Sequence, residues 1–211
     1  MKKLHIKLRQ EQNLYFTSDL HFGHRNVIRF CNRPFENEKE MGEKLIENWN
    51  STVTNDDIVF VLGDTFWFND SRSIKKILSR LNGETIYIIP GNHCDFSAYH
   101  RVDDERIVLC DDIVVLWLES EGYPMKGWKR KIYEICMQHC PMATWPHREN
   151  GALHLFGHIH SKPDKREGVD QDLSLHWNQC DIGCDYWEYK PVKFETLLRL
   201  FDTQKTLKSI N

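Results

Sequence analysis

No apolar run in this 211-residue chain approaches the roughly 18–20 residues of a membrane span, so no membrane-crossing helix is expected. No secretory leader is expected either. Residues 1–12, "MKKLHIKLRQEQ", alternate charged and apolar, and no hydrophobic stretch follows the two lysines. Neither charge dominates: 28 Lys and Arg stand against 31 Asp and Glu, a formal net charge of −3. That balance gives no general reason to expect nucleic acid or a membrane surface as partner. No repeat, low-complexity tract or linker rich in Pro, Gly and Ser is present, and the expectation is one domain over 1–211. Seven cysteines are an odd number without a leader, which favours the reducing cytoplasm over a disulfide framework. Cys136/Cys140 and Cys180/Cys184 have a spacing that suits structural zinc poorly and are read as small buried hydrophobes.

Histidine is the residue in surplus, with 11 copies. Strand-like and helix-like runs alternate, which argues for the α/β class. The helical patterns cover 37–50, 71–81 with Ser71 as N-cap, and 194–207; Leu4, Ile6 and Leu8 alternate as in an edge strand. The strand patterns cover 14–18, 58–62, 85–89, 107–118, 131–138, 153–156 and 174–183. Residues 120–131 and 161–170 read as polar loops.

Five of the strands end on polar, metal-capable residues. "LYFTS" leads to Asp19 and His21, "IVFVL" to Asp64, and "TIYII" to Asn92 and His93; "IYEICMQ" leads to His139, and "LHLF" to His158 and His160. Ligands of open α/β sheets collect outside the carboxyl ends of the strands, so these tips are expected to converge. Carboxylate and amide oxygens with neutral imidazoles suit Mn²⁺, Fe²⁺ or Zn²⁺. Seven ligands are too many for one ion and divide between two if a carboxylate bridges. Paired ions in hydrolytic sites sit about 3.5–4 Å apart and lower the pKa of a bound water toward ~7. His93 is left over, free to protonate a leaving alkoxide as general acid.

The blocks "SDLH" (18–21), "LGD" (62–64), "GNH" (91–93), the His of "QHCP" (138–141) and "GHIH" (157–160) resemble, in order, the signature of the calcineurin-like metallophosphoesterases. The resemblance implies a four-layer α-β-β-α sandwich of two mixed sheets flanked by helices. It implies a first ion on Asp19, His21 and His160, a second on Asn92, His139 and His158, Asp64 bridging, and His93 as general acid. A metal-bridging hydroxide would then attack a phosphodiester or phosphomonoester, a small nucleotide among the candidate substrates. Cys140 stands where the family often has an aromatic residue.

Several flanking residues have two readings. His24, Arg25 and Arg33 follow the first block, in a stretch similar to small bacterial and phage members, and could meet the substrate phosphate. Against this, Arg33 could pair with Glu36–Glu40, and Arg25 could be a solvated turn residue. Trp67 and Trp145 could wall a flat leaving group or could be core. His154 is read as structural, and the acids of "DIGCDYWEYKPVKF" as structural or rim residues. The basic run Lys126–Lys131 could touch nucleic acid but lacks aromatic platforms. Two rival functions are a nuclease using the same ions and a non-catalytic binding scaffold. The scaffold is disfavoured because all seven ligands and His93 are present.

Overall fold

The structure, a computed structural model, describes residues 1–93, 96–119, 132–161 and 176–208. The expected loop 120–131 with its basic run, and 162–170 of the second loop, lie outside these residues.

Two five-stranded sheets form from the β-branched and aromatic runs. The first has β1 (Lys2–Lys7) at its edge, then β6 (Ile113–Glu119), β7 (Ile132–Gln138), β8 (Leu153–Phe156) and β9 (Gln179–Asp181). Only the β6–β7 pair is antiparallel. The second runs β10 (Val192–Lys193), β2 (Leu14–Thr17), β3 (Ile58–Leu62), β4 (Thr85–Ile89) and β5 (Ile107–Leu109). There only β10 is antiparallel to its neighbour.

Side chains alternate across each strand, and that alternation builds the layers. Leu14, Phe16, Phe60 and Leu62 of the second sheet meet Leu116, Ile135, Met137 and Leu155 of the first in one buried core. The two sheets therefore pack face to face, the sandwich that the resemblance implied. The opposite faces of β2, β3 and β4 carry Tyr15, Val59, Val61, Ile86 and Ile88. Against them pack Val27 of α1 (Arg25–Phe30), Leu45 and Trp49 of α2 (Glu38–Asn50), Ile74 and Leu78 of α3 (Ser71–Leu78), and Tyr99 of α4 (Phe96–Tyr99). The outer face of the first sheet buries Val115 and Cys136 under Trp145 and Ala152, which belong to the connection after β7. Phe194, Leu197, Leu198 and Phe201 of α5 (Phe194–Lys208) enter the central core.

Three expectations on the elements need correction. The run 107–118 is two strands in different sheets, β5 and β6; the break falls at the exposed pair Asp111 and Asp112. The N-cap of α3 is Asp70, whose side chain accepts from the Ser73 amide, and not Ser71. Within 174–183, among the described residues, only Gln179–Asp181 is strand. The Asn37 side-chain Oδ1 caps α2 by accepting from the amides of Lys39 and Glu40, matching the expected start.

Candidate metal centre

The carboxyl ends of β2, β3, β4, β7 and β8 meet at one edge of the sandwich, bringing the seven expected ligands together. Their backbones are unusual. Asp19, His21, Asp64, His158 and His160 all have positive φ, between 45° and 73°. A left-handed conformation in a non-glycine residue costs of order 1–3 kcal/mol and tends to gather at functional sites. Two glycines let these turns close on one another. A methyl group on Gly91 would lie 2.1 Å from Asp64 Oδ1, and one on Gly157 would lie 2.3 Å from Asp19 Oδ2. Gly91, just before Asn92 and His93, thus admits a carboxylate against the backbone.

The donor atoms point at a common space. His21 Nε2 and Asp64 Oδ2 are 3.7 Å apart, His139 Nε2 and Asp64 Oδ2 3.4 Å, and His160 Nε2 and Asp19 Oδ1 3.8 Å. Asp19 Oδ1 and His21 Nε2 are buried without any hydrogen-bond partner. Stranded buried polar atoms are costly unless something binds them. Atoms each about 2.0–2.2 Å from one ion would be separated by such distances.

A second observation points the same way. His139 donates from Nδ1 to the Leu62 carbonyl at 2.8 Å, so once Nε2 has lost its proton the ring presents a lone pair there. That lone pair faces the Asn92 Oδ1 atom at 2.9 Å and the Asp64 carboxylate. Asn92 Oδ1 is also 3.0 Å from His158 Nδ1. Acceptors turned on acceptors call for a cation or a proton between them, so the residues present fit metal ions.

The electrostatics reflect this crowding. Burial lifts Asp19 to about 6 against the pull of His160 and His139, and burial drops His21 to about 3. Burial would raise Asp64, but the bond from His139 and its charge outweigh it and hold the carboxyl at about 2; His139 moves up in turn. Burial would also lower His160, yet its bond to Asp185 and the nearby Cys31 and Asp19 carry it up to about 10. Carboxylates and imidazoles pushed apart in this way are characteristic of functional sites.

His93 is anchored by its backbone, with its ring beside those of His21 and Trp67. Its amide donates to Asp64 Oδ1 at 3.0 Å, while the exposed imidazole lies 6.1 Å from the His21 ring. His24 is buried, 3.4 Å from His21 between Nδ1 atoms, with its ring stacked on Trp67. Trp67 is exposed at the rim, whereas Trp145 is a core residue whose Nε1 donates to the Ala152 carbonyl. Arg25 is exposed at the start of α1 and makes no hydrogen bond or ion pair with another described residue.

Arg33 is placed differently from the substrate role expected of it. It is buried and donates from Nε and Nη2 to both oxygens of Asp185, at 2.9 and 2.7 Å. Nη2 also reaches the Asp19 carbonyl at 2.6 Å, and Nη1 the Leu20 carbonyl at 3.1 Å. These acceptors occupy the guanidinium, which therefore braces the first ligand turn and does not present to a phosphate. Its partner is not the Glu36–Glu40 stretch either. Asp185 was passed over in the sequence as a rim or structural acid. It accepts from His160 Nδ1 at 2.7 Å and so orients that ring with Nε2 toward Asp19. Its position after a sixth strand end, β9, was the signal that could have found it.

Of the cysteines, Cys110, Cys136, Cys180 and Cys184 are buried, as expected of small hydrophobes. Cys140 is half-buried, and its sulfur lies within 4.8 Å of ligand atoms of His139 and His158. His154 is buried and neutral, with Nδ1 bonded to the Cys136 carbonyl and Nε2 accepting from the Met142 amide.

Known proteins are similar to this chain over most of its length. An uncharacterized protein of Methanocaldococcus jannaschii is 29% identical over 202 residues, covering 95% of this chain and 97% of its own. The gene 66 protein of Mycobacterium phage L5 is 23% identical, covering 83% of this chain and 87% of its own. The crystal structure of a protein of unknown function from Aquifex aeolicus has the same fold, with a TM-score of 0.64 at 22% identity over 90% of this chain and all of that one. The model of the calcineurin-like phosphoesterases matches residues 13–162, a span that holds all five ligand-bearing turns, and the chain belongs to that family.

Proposed function

We propose that this protein is a dinuclear metallophosphoesterase, one domain over 1–211, working in the cytoplasm on small phosphate esters. Membership of the family carries metal-dependent phosphoester hydrolysis as its general chemistry. The observation that supports two ions over one is the position of Asp64 Oδ2 between the Nε2 atoms of His21 and His139. Asp19, His21 and His160 would hold the first ion; Asn92, His139 and His158 the second; Asp64 both. The donor set suits Mn²⁺, Fe²⁺ or Zn²⁺. When bound, such ions neutralise charge on the phosphoryl group and supply an acidic water as nucleophile.

The chain's own residues do the rest. The turns of Asp19, Asp64 and His158 are locked before substrate arrives, since the His158 amide donates to Asp19 Oδ2 at 2.9 Å. The His93 amide does the same for Asp64 Oδ1 at 3.0 Å. Fixed donors of this kind position charge without reorganising during reaction. Asn92, His93 and His158 are the exposed members of the set, so the ester enters from their side. The His93 imidazole, tethered there by its backbone, gives its proton to the departing oxygen.

Steady-state kinetics on two variants test these roles. With Mn²⁺ and bis-p-nitrophenyl phosphate or p-nitrophenyl phosphate, Asp64→Asn should lose nearly all turnover while keeping its far-ultraviolet circular dichroism. His93→Ala should keep its metal content and lose about 10²–10⁴ in kcat, most with poor leaving groups. Loss of metal from His93→Ala would show that His93 is a ligand and not the acid.

A further inference from the structure

Trp67 is one of four large apolar side chains exposed among the described residues, with Met1, Phe30 and Ile132, and it alone stands at the candidate metal centre. The residue is 44% exposed although its indole lies within ring contact of three histidines. The His24 imidazole is stacked flat against it, with centroids 3.7 Å apart and planes 4° from parallel. The His93 ring is 5.2 Å away and the His21 ring 6.4 Å.

The indole is also held from below. Trp67 donates its amide to the Phe22 carbonyl at 2.9 Å, within the pairing of Phe22 with Phe66. His24 is buried, with its amide on the His21 carbonyl at 3.0 Å and its Nδ1 against His21 Nδ1 at 3.4 Å. One aromatic ring thus backs another, leaving, among the described residues, an apolar surface open beside the residue that delivers the proton. An exposed indole loses hydration on its free face whenever a flat ring covers it, and a surface fixed beforehand forfeits little conformational entropy in doing so.

We propose that Trp67, backed by His24, is the seat for a flat heteroaromatic ring on the leaving group, so that the preferred esters are those of nucleosides and not of simple alkyl alcohols. This inference rests on the phosphoesterase reading with His93 as proton donor. The leaving oxygen at His93 puts the next atoms of the alcohol alongside the indole, within reach of a base carried on a ribose. Stacking on an aromatic side chain tolerates any base, because every base has a π face. Trp67 has no polar handle on that free face with which to choose among bases, so preference for the ring as a class is expected without strong preference among nucleobases.

The test compares alcohols whose leaving oxygen is chemically alike. Adenosine 5′-monophosphate and its methyl diester are set against glycerol 1-phosphate and its methyl diester, with Mn²⁺-loaded protein and release of free adenosine or glycerol as readout. Each releases a primary alkoxide, so the base is the main difference. The wild type should favour the adenosine esters, and Trp67→Ala should reduce the adenosine-to-glycerol ratio of kcat/KM about tenfold. Trp67→Phe should keep most of that ratio. A ratio unchanged in Trp67→Ala, with both esters slowed together, would overturn the seat and leave Trp67 as a support for His93. Equal use of the two alcohols by the wild type would overturn it as well. Hydrolysis of none of the four esters by protein that does hydrolyse a p-nitrophenyl ester would overturn the seat alone; inertness on the p-nitrophenyl esters too would remove the phosphoesterase reading itself.

Discussion

Protonation of His154 couples the packing between β7 and β8 to pH. Burial holds this imidazole at about 4, despite the bond to the Cys136 carbonyl, against an ordinary value of 6.5. Its folded value lies below its unfolded one, so its contribution is present above pH 6.5 and fades as the pH falls toward 4. At pH 5 the loss amounts to roughly 2 kcal/mol, from about 1.4 kcal/mol per pH unit. Urea unfolding of the wild type and His154→Gln at pH 7.5 and pH 5 checks this. The stability gap between them should narrow by about that amount at the lower pH; a constant gap would contradict it. At the same scale, His154 belongs to none of the five ligand blocks, and the sequence reads it as structural. What it faces did not show: the Met142 amide comes from a connection whose path no local pattern records.

Between elements, Arg33 and Asp185 tie three segments into one brace. Arg33 lies between α1 and α2, Asp185 follows β9, and His160 follows β8; one carboxylate joins them. The charge pair is wholly buried, and burial alone would disfavour the Asp185 carboxylate. The bonds from His160 and Arg33 outweigh that and hold it at about 2, while Arg33 is held well above its ordinary value despite its own burial. Removing one member strands a buried charge, which costs about 3–5 kcal/mol. Asp185→Asn is therefore expected to be destabilised by that order. It should also bind Mn²⁺ about 10–100-fold more weakly by isothermal titration calorimetry, because His160 loses its orienting acceptor. Unchanged affinity in a folded Asp185→Asn would remove the brace from the account of the centre.

This is also the scale at which sequence reading reached its limit. Strand tips carrying Asp64, Asn92 or His160 are local and could be read directly. The bond from Arg33 to Asp185 spans 152 residues, and a plausible acidic partner stood much nearer in the chain. Likewise 107–118 is uniformly strand-forming, and only the two exposed aspartates mark where the chain leaves one sheet for the other. The positive φ at five ligands is a property of turns under tertiary constraint, which residue identity did not disclose.

Taken as one molecule, the fold is two sheets whose strands end together and a set of turns strained to hold donor atoms in the open. Left-handed turns and stranded buried atoms reduce stability, and bound ions would restore it. An ion that binds the folded chain alone stabilises it by about 2.7 kcal/mol at a concentration a hundred times its Kd. Thermal unfolding should accordingly move up when Mn²⁺ is returned to chelator-treated protein and move less in Asp64→Asn. Coincident curves with and without the ion would speak against the centre. No helix among the described residues is long and apolar enough to cross a membrane.

The most direct measurement is a titration of chelator-stripped protein with Mn²⁺, following bound metal by elemental analysis and hydrolysis of bis-p-nitrophenyl phosphate and p-nitrophenyl phosphate in the same samples. Two equivalents per chain are expected, with hydrolysis of at least one ester rising as the second is bound and absent from Asp64→Asn. Hydrolysis that persists without bound metal, or that is complete at one equivalent, would contradict a two-ion phosphoesterase.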